Sequence, residues 1–259
     1  MCGRFVASRP VEEIVEQFAV DEVRLPPELL PGPRFNVAPQ DQVLGVRAVV
    51  PEGAEAAPGE RRLGAYRWGL VPSWAKDLRV GSRAFNARAE SLAERPMFRS
   101  ALERRRLIIP ADAFYEWQPS PAAAGRRPGR KRPWCFKAAD GRLLGLAGLY
   151  ALWRQGPESE WVTTCTIITT GANALMAPVH DRMPVVLAPE GYEAWLAPGK
   201  LAGGELAHLL SPPPEDLLVA YRVGDEVNSS RAEGPQLAEP LEESSSEPSP
   251  SSLPARRRP

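Results

Sequence analysis

Short apolar runs dominate the chain, and few of them repeat at helical spacing. QVLGVRAVV at 42–50, RLGAYRWGLV at 62–71, RLIIPADAFYEW at 106–117, RLLGLAGLYALW at 142–153, WVTTCTIITT at 161–170 and PVVLA at 184–188 are β-branched or aromatic and bounded by Gly or Pro. This is the pattern of strands. Helical spacing is clearest in PVEEIVEQFAV at 10–20, where Pro opens the segment and Ile14, Val15 and Phe18 share a face. ESLAERPMF at 90–98, ANALMAPV at 172–179, PEGYEAWLA at 189–197 and GGELAHLL at 203–210 are further short helix candidates. The prediction is a strand-dominated α+β fold with short peripheral helices. Neither a regular βαβ alternation nor a Gly-rich phosphate loop is present, so no nucleotide cofactor is expected.

Composition divides the chain. Residues 231–259 are rich in Ser, Pro and Glu and read as a disordered tail behind a domain spanning 2–225. Residues 51–62 and 118–133 read as inserted surface loops, the second carrying the densest run of Arg and Lys. That run is either a solvated loop or a contact for a phosphate backbone. The tail holds 4 basic and 5 acidic residues, out of 32 of each sign in the chain, so the body has 28 and 27 and a net charge of +1. Affinity for nucleic acid would therefore require a local patch. No run approaches the roughly 18 to 20 apolar residues of a membrane helix, and MCGRFVASRPVEE lacks the features of a signal peptide. A cytoplasmic, monomeric protein is expected. Three cysteines without close spacing and two histidines argue against a disulfide framework or a metal centre.

Four groups of residues carry candidate chemistry. Residue 2 is cysteine, so removal of Met1 would place an α-amine and a thiol on adjacent carbons. An amine with a pKa of about 7.7 to 8.0 can condense with an aldehyde, and the thiol can then close a five-membered ring. Position alone equally allows an incidental residue on a frayed end. FNARAE at 85–90 supplies Asn86, Arg88 and Glu90, and FYEW at 114–117 sets Glu116 among aromatics, where its pKa would rise. A Glu on the solvent face of a strand would show the same pattern. His180, Asp181 and Arg182 are consecutive in APVHDRMP, as a proton shuttle and phosphate ligand or as a polar loop. Trp74 and Trp117 adjoin polar motifs and suit base stacking, whereas Trp68 suits a core.

MCGRF at the start, RFNVAPQ at 34–40, RWGLVPSWAKD at 67–77, FNARAE, RLIIPADAFYEW, AGLY at 147–150 and TTGANALMAPVHDRMPVVL at 169–187 occur in the order seen in the SOS-response-associated peptidase (SRAP) family, which the chain resembles from residue 2 to about 222. The resemblance implies a β-barrel-like core, a groove for single-stranded DNA, and a mature Cys2 that captures the aldehyde of an abasic site as a thiazolidine DNA–protein crosslink. It implies catalytic roles for Cys2, Asn86, Glu116 and His180. It implies DNA contacts at Arg4, Pro39, Trp74, Arg88, Trp117 and Arg182, with no metal or cofactor and weak lyase activity on the side. The alternative is an N-terminal-cysteine peptidase that removes its own leader.

Overall fold

The computed structural model describes residues 2–26, 30–50, 59–119 and 131–241. In chain order these form β1 (Phe5–Ala7), α1 (Val11–Gln17), β2 (Glu22–Val23), β3 (Arg34–Val37), β4 (Gln42–Val49), β5 (Glu60–Trp68), β6 (Asn86–Arg88), α2 (Pro96–Arg104) and β7 (Arg106–Ala111). There follow β8 (Ala113–Gln118), β9 (Arg132–Ala138), β10 (Leu144–Trp153), β11 (Val162–Gly171), β12 (Arg182–Pro184), β13 (Val186–Leu187), α3 (Tyr192–Leu196), α4 (Gly203–Leu209) and β14 (Leu218–Arg222).

The strands form two sheets. The larger has the order β12-β11-β10-β7-β4-β5-β2, and a parallel pairing of β5 with β11 joins β5, β4, β7, β10 and β11 into a barrel-like ring. The smaller has the order β14-β9-β8-β1-β3. RLIIPADAFYEW reads as one strand but is two, divided between the sheets at Asp112. There the Asp112 carboxylate accepts hydrogen bonds from the Ser8 amide (2.7 Å) and hydroxyl (3.1 Å), and its own amide donates to Val6 (2.8 Å). A turn held by a side chain leaves no mark on hydrophobic periodicity.

Alternation within β7 shows how the core is split. Leu107 and Ile109 point into a cluster between the sheets with Cys2, Phe5, Trp68, Phe114, Phe136 and Ile167. Ile108, between them, points outward to Phe18, Phe98, Tyr192 and Trp195 under the helices. Both faces are covered, which is why the strands read as continuous apolar runs. Glycine is required at Gly69, where φ is +139° and a Cβ would lie 2.5 Å from the Gly81 carbonyl.

Four expectations need correction. ESLAERPMF is a tight turn up to Arg95, and the helix begins only at Pro96. ANALMAPV forms turns, not a helix: Ala177 and His180 donate to Asn173 and Met176, but no two successive residues make such bonds. Residues 60–62 belong to β5, Gln118 to β8 and Arg132 and Pro133 to β9, not to loops; 51–58 lie outside the described residues, as do 120–130 of the second insertion. Residues 231–241 also pack onto the body, well past the boundary expected at 225. Leu237 is 1% exposed, the Asn36 amide donates to Ala232, Glu233 binds Arg34 and the Phe35 amide, and Leu241 donates to Arg222. The Ser/Pro/Glu composition of 231–259 taken as a whole hid the apolar anchor of its first part and the polar partners waiting for it. Residues 242–259 lie outside the described residues.

Candidate active site

β1 and β8 run antiparallel, with Phe5 opposite Phe114 and the Tyr115 amide donating to the Arg4 carbonyl (3.0 Å). This register carries Cys2 toward Glu116. Cys2 is fully buried, not frayed. Its carbonyl accepts a hydrogen bond from Asn86 Nδ2 at 2.7 Å. Asn86 is placed by β6, which pairs in parallel with β11 through Ile167. Just before it, the Phe85 carbonyl accepts from the Trp68 indole (2.8 Å) and the Ile167 amide (3.0 Å). The buried indole, 0% exposed, thus anchors the strand that delivers Asn86. Among the described residues, Asn86 Oδ1 is buried with no partner. Such an atom costs about 1–3 kcal/mol unless something donates to it.

Glu116 is 2% exposed, and burial pushes its carboxyl up from 4.5 to about 7. Burial also raises the Cys2 thiol, and the nearby Glu116 charge raises it further. A carboxyl that titrates near neutrality close to Cys2 is suited to act as a general acid or base there. The β8 strand is joined to the segment carrying His180 by Gln118 Nε2, which donates to the Pro178 carbonyl at 3.2 Å. His180 Nδ1 accepts from the Arg182 amide at 2.9 Å, while a carboxylate oxygen of Asp181 lies 3.0 Å from the same nitrogen. The amide can only donate, and the Asp181 side chain is 78% exposed and screened by water. The amide therefore sets the tautomer: Nδ1 accepts and Nε2 carries the hydrogen.

The cationic and aromatic residues fall into two kinds. Arg88 is exposed at the end of β6, and its side chain makes no hydrogen bond or ion pair among the described residues, although its charge helps to lower the pKa of Glu90. Arg182 sits beside it across Thr169, but donates to both Glu90 oxygens (2.7 and 2.9 Å) and to the Thr169 carbonyl (2.5 Å). Any phosphate there would compete with Glu90. Arg4 is also engaged, donating to Asn36 Oδ1 (2.9 Å) and the Val227 carbonyl (3.1 Å), with its guanidinium 5.8 Å from the Trp117 ring centre. Trp117 in turn donates to Asn228 (2.6 Å). Trp74 is 65% exposed on the loop after β5, and Pro39 is half-buried in the turn between β3 and β4. Asn36 and Asn228 escape a reading of the sequence as site residues, and Glu90, a polar residue of FNARAE, emerges as the partner of Arg182. The signal of the first two was faint, because their partners lie far along the chain.

Residues 1–230 match the family described as SOS response associated peptidase (SRAP). The chain belongs to the SRAP family. Among SRAP relatives, the abasic site processing protein YoqW of Bacillus subtilis (strain 168) is 42% identical over 239 residues, 92% of this chain and 99% of that protein. The abasic site processing protein HMCES of Pongo abelii is 28% identical over 273 residues, covering 93% of this chain and 77% of that protein. A solved structure of a Bacteroides thetaiotaomicron protein shares the fold with a TM-score of 0.77, at 22% identity over 93% of this chain and 100% of that one. One from Bordetella bronchiseptica has a TM-score of 0.66, at 28% identity over 86% and 100%. The strand-dominated, barrel-like architecture expected from the sequence is thus that of this SRAP chain. No helix among the described residues is long and apolar enough to cross a membrane.

Proposed function

We propose that this SRAP chain processes abasic sites by forming a covalent thiazolidine crosslink between mature Cys2 and the lesion aldehyde in single-stranded DNA. The observation that carries the reading is the Asn86 side chain. Nδ2 holds the Cys2 carbonyl at 2.7 Å, and Oδ1 is left as a buried acceptor beside the nucleophile. The names of the abasic site processing relatives support the same lesion as substrate.

The steps balance without an oxidant or cofactor. Loss of Met1 frees the α-amine of Cys2. The sugar ring opens as its C1 hydroxyl gives up a proton, the bond from C1 to the ring oxygen breaks and the ring oxygen takes a proton, with His180 Nε2–H donating a hydrogen bond to that oxygen; no proton is gained or lost overall. The amine attacks the aldehyde carbon to form a carbinolamine, and protonated Glu116 assists departure of its hydroxyl as water, leaving an imine. The thiol sulfur then bonds to the imine carbon, with its proton passing by way of Glu116 to the nitrogen. One water is released in all. Elimination from the imine is the route to weak strand cleavage. Arg88, with Arg182, holds flanking phosphates, and Trp74 offers a face to an unpaired base. The chain acts as a monomer in the cytoplasm.

The test is a denaturing gel after incubation with a single-stranded oligonucleotide bearing one abasic site. The mature protein yields a band that survives denaturation, Cys2→Ala loses it while keeping reversible binding, and an N-terminal tag that blocks the amine prevents it. Absence of the band with mature protein whose intact mass shows loss of Met1 overturns the reading. The same buried thiol–carboxyl pair also suits removal of the leader residue. Intact mass of Glu116→Ala separates the two: retained Met1 assigns that step to this site.

A further inference from the structure

A second polar cavity, of about 240 Å³, lies away from Cys2. It is lined by Arg47 of β4, Arg104 at the end of α2, Arg106 of β7 and Tyr150 of β10, with Val49 and Pro198 among its apolar walls. Arg47 pairs with Arg62 on β5 and Tyr150 with Cys165 on β11, and none of Cys2, Asn86, Glu116 and His180 lines the cavity.

Among the described residues, no carboxylate lines it, and the one acid that acts on its arginines is Glu205, through space on Arg106. Arg106 is 5% exposed and satisfied by carbonyls: Nε donates to Trp195 (2.6 Å), Nη1 to Leu102 (2.6 Å) and Gly199 (2.8 Å), and Nη2 to Ala197. These bonds fix the guanidinium without cancelling its charge. Arg47 lies over the Tyr150 ring, 5.2 Å from its centre, and gives one hydrogen bond, to the Tyr150 hydroxyl at 3.1 Å. Its other N–H groups have no partner among the described residues. Arg104 is exposed at the rim and makes no ion pair among them. Folding normally brings acids to such a cluster, as it does for Arg34, Arg62 and Arg182 in this chain. An arginine stacked on a ring in a cavity wall, with N–H groups left over, suits the tetrahedral oxygens of a phosphate.

We infer that this cavity binds the phosphate group of a nucleotide-sized phosphate monoester. The volume is below the roughly 300–1,000 Å³ of drug-sized sites and accommodates a phosphate with its attached sugar. Such a group can come from a free nucleotide or from the 5′-phosphate end of a DNA strand.

The full-length protein is titrated with dAMP and followed by ³¹P NMR, and separately with a short oligonucleotide carrying either a 5′-phosphate or a 5′-hydroxyl. The expected result is saturable dAMP binding that Arg47→Gln weakens at least tenfold and Arg104→Gln at least threefold. Arg154→Gln, at an exposed arginine stacked on Trp161, leaves binding unchanged, and Arg88→Ala retains it. Crosslinking of a 5′-hydroxyl oligonucleotide by Arg47→Gln stays at the wild-type rate. Tighter binding of the 5′-phosphorylated strand that vanishes in Arg47→Gln assigns the site to a DNA end. Equal binding of both strands, with dAMP bound, assigns it to a free nucleotide. No saturable response to dAMP, or a response that survives both Arg47→Gln and Arg104→Gln, overturns the inference. Arg104 is exposed, so its variant decides the matter even if Arg47→Gln fails to fold.

Discussion

Glu116→Gln should make the protein more stable and less active, with the stability gain growing with pH. The carboxyl is 2% exposed and its pKa rises from 4.5 to about 7 on folding, with burial as the main cause. An acid whose pKa is raised in the folded state costs nothing while protonated in both states. The cost begins as pH passes 4.5, where the unfolded carboxyl ionises, and is complete above about 7, where the folded one does. At about 1.4 kcal/mol per pH unit, the full cost is about 3 kcal/mol at pH 8.5 and about 1 kcal/mol at pH 5. Gln removes the titration but keeps the shape. The expected outcome is a Tm gain over wild type that is larger at pH 8.5 than at pH 5 by roughly 4–8 °C, since 1 kcal/mol shifts a domain of this size by roughly 2–4 °C. Thermal unfolding of both proteins across this pH range measures it, and taking the difference between two pH values cancels any fixed effect of the amide. In parallel, crosslinking of abasic single-stranded DNA should slow by about 10²-fold or more. A Tm difference that stays constant from pH 5 to 8.5 would refute the assignment of a buried, neutral-range carboxyl.

Other perturbations separate the site from its scaffold. Trp74→Ala should leave Tm unchanged and weaken binding to single-stranded DNA by about 1–3 kcal/mol, read by fluorescence anisotropy; Trp68→Ala, at a fully buried indole, should instead cost about 3–5 kcal/mol of stability in denaturant titration. Arg106→Leu strips donors from the carbonyls of Leu102, Trp195, Ala197 and Gly199, and should cost about 3–5 kcal/mol, measured as a lowered urea midpoint. Deleting residues 231–259 removes the buried Leu237 contact, the Glu233 pairing with Arg34 and one of the two acceptors of the Asn36 amide, and should cost about 3 kcal/mol with a lowered urea midpoint; unchanged stability would show that 231–241 contribute nothing.

Much of the fold is legible in local pattern. β4, β10 and β11 coincide closely with their apolar runs, and α1 with its helical face, because burial of a strand or helix face writes its own period into the chain. The break at Asp112, the turn at 172–179 and the packing of 231–241 are not legible this way. Each depends on a partner distant in sequence: Ser8 for Asp112, Gln118 for Pro178, and Asn36 and Arg34 for the segment after 229.

The candidate site divides along the same line. From its sequence alone, the chain carries a cysteine at position 2, a Glu among aromatics and an ordered set of SRAP motifs, which is enough to name the family and nominate Cys2, Asn86, Glu116 and His180. Tertiary structure alone decides that Cys2 is buried with its carbonyl on Asn86, that Glu116 titrates near 7, and that Arg4 and Arg182 are already engaged while Arg88 is open. The physical reason is that residue type sets what a group can do, whereas burial and the charges around it set its protonation and its freedom to act. Those come from strands brought together from 84 positions apart, as with Cys2 and Asn86, and no local pattern encodes them.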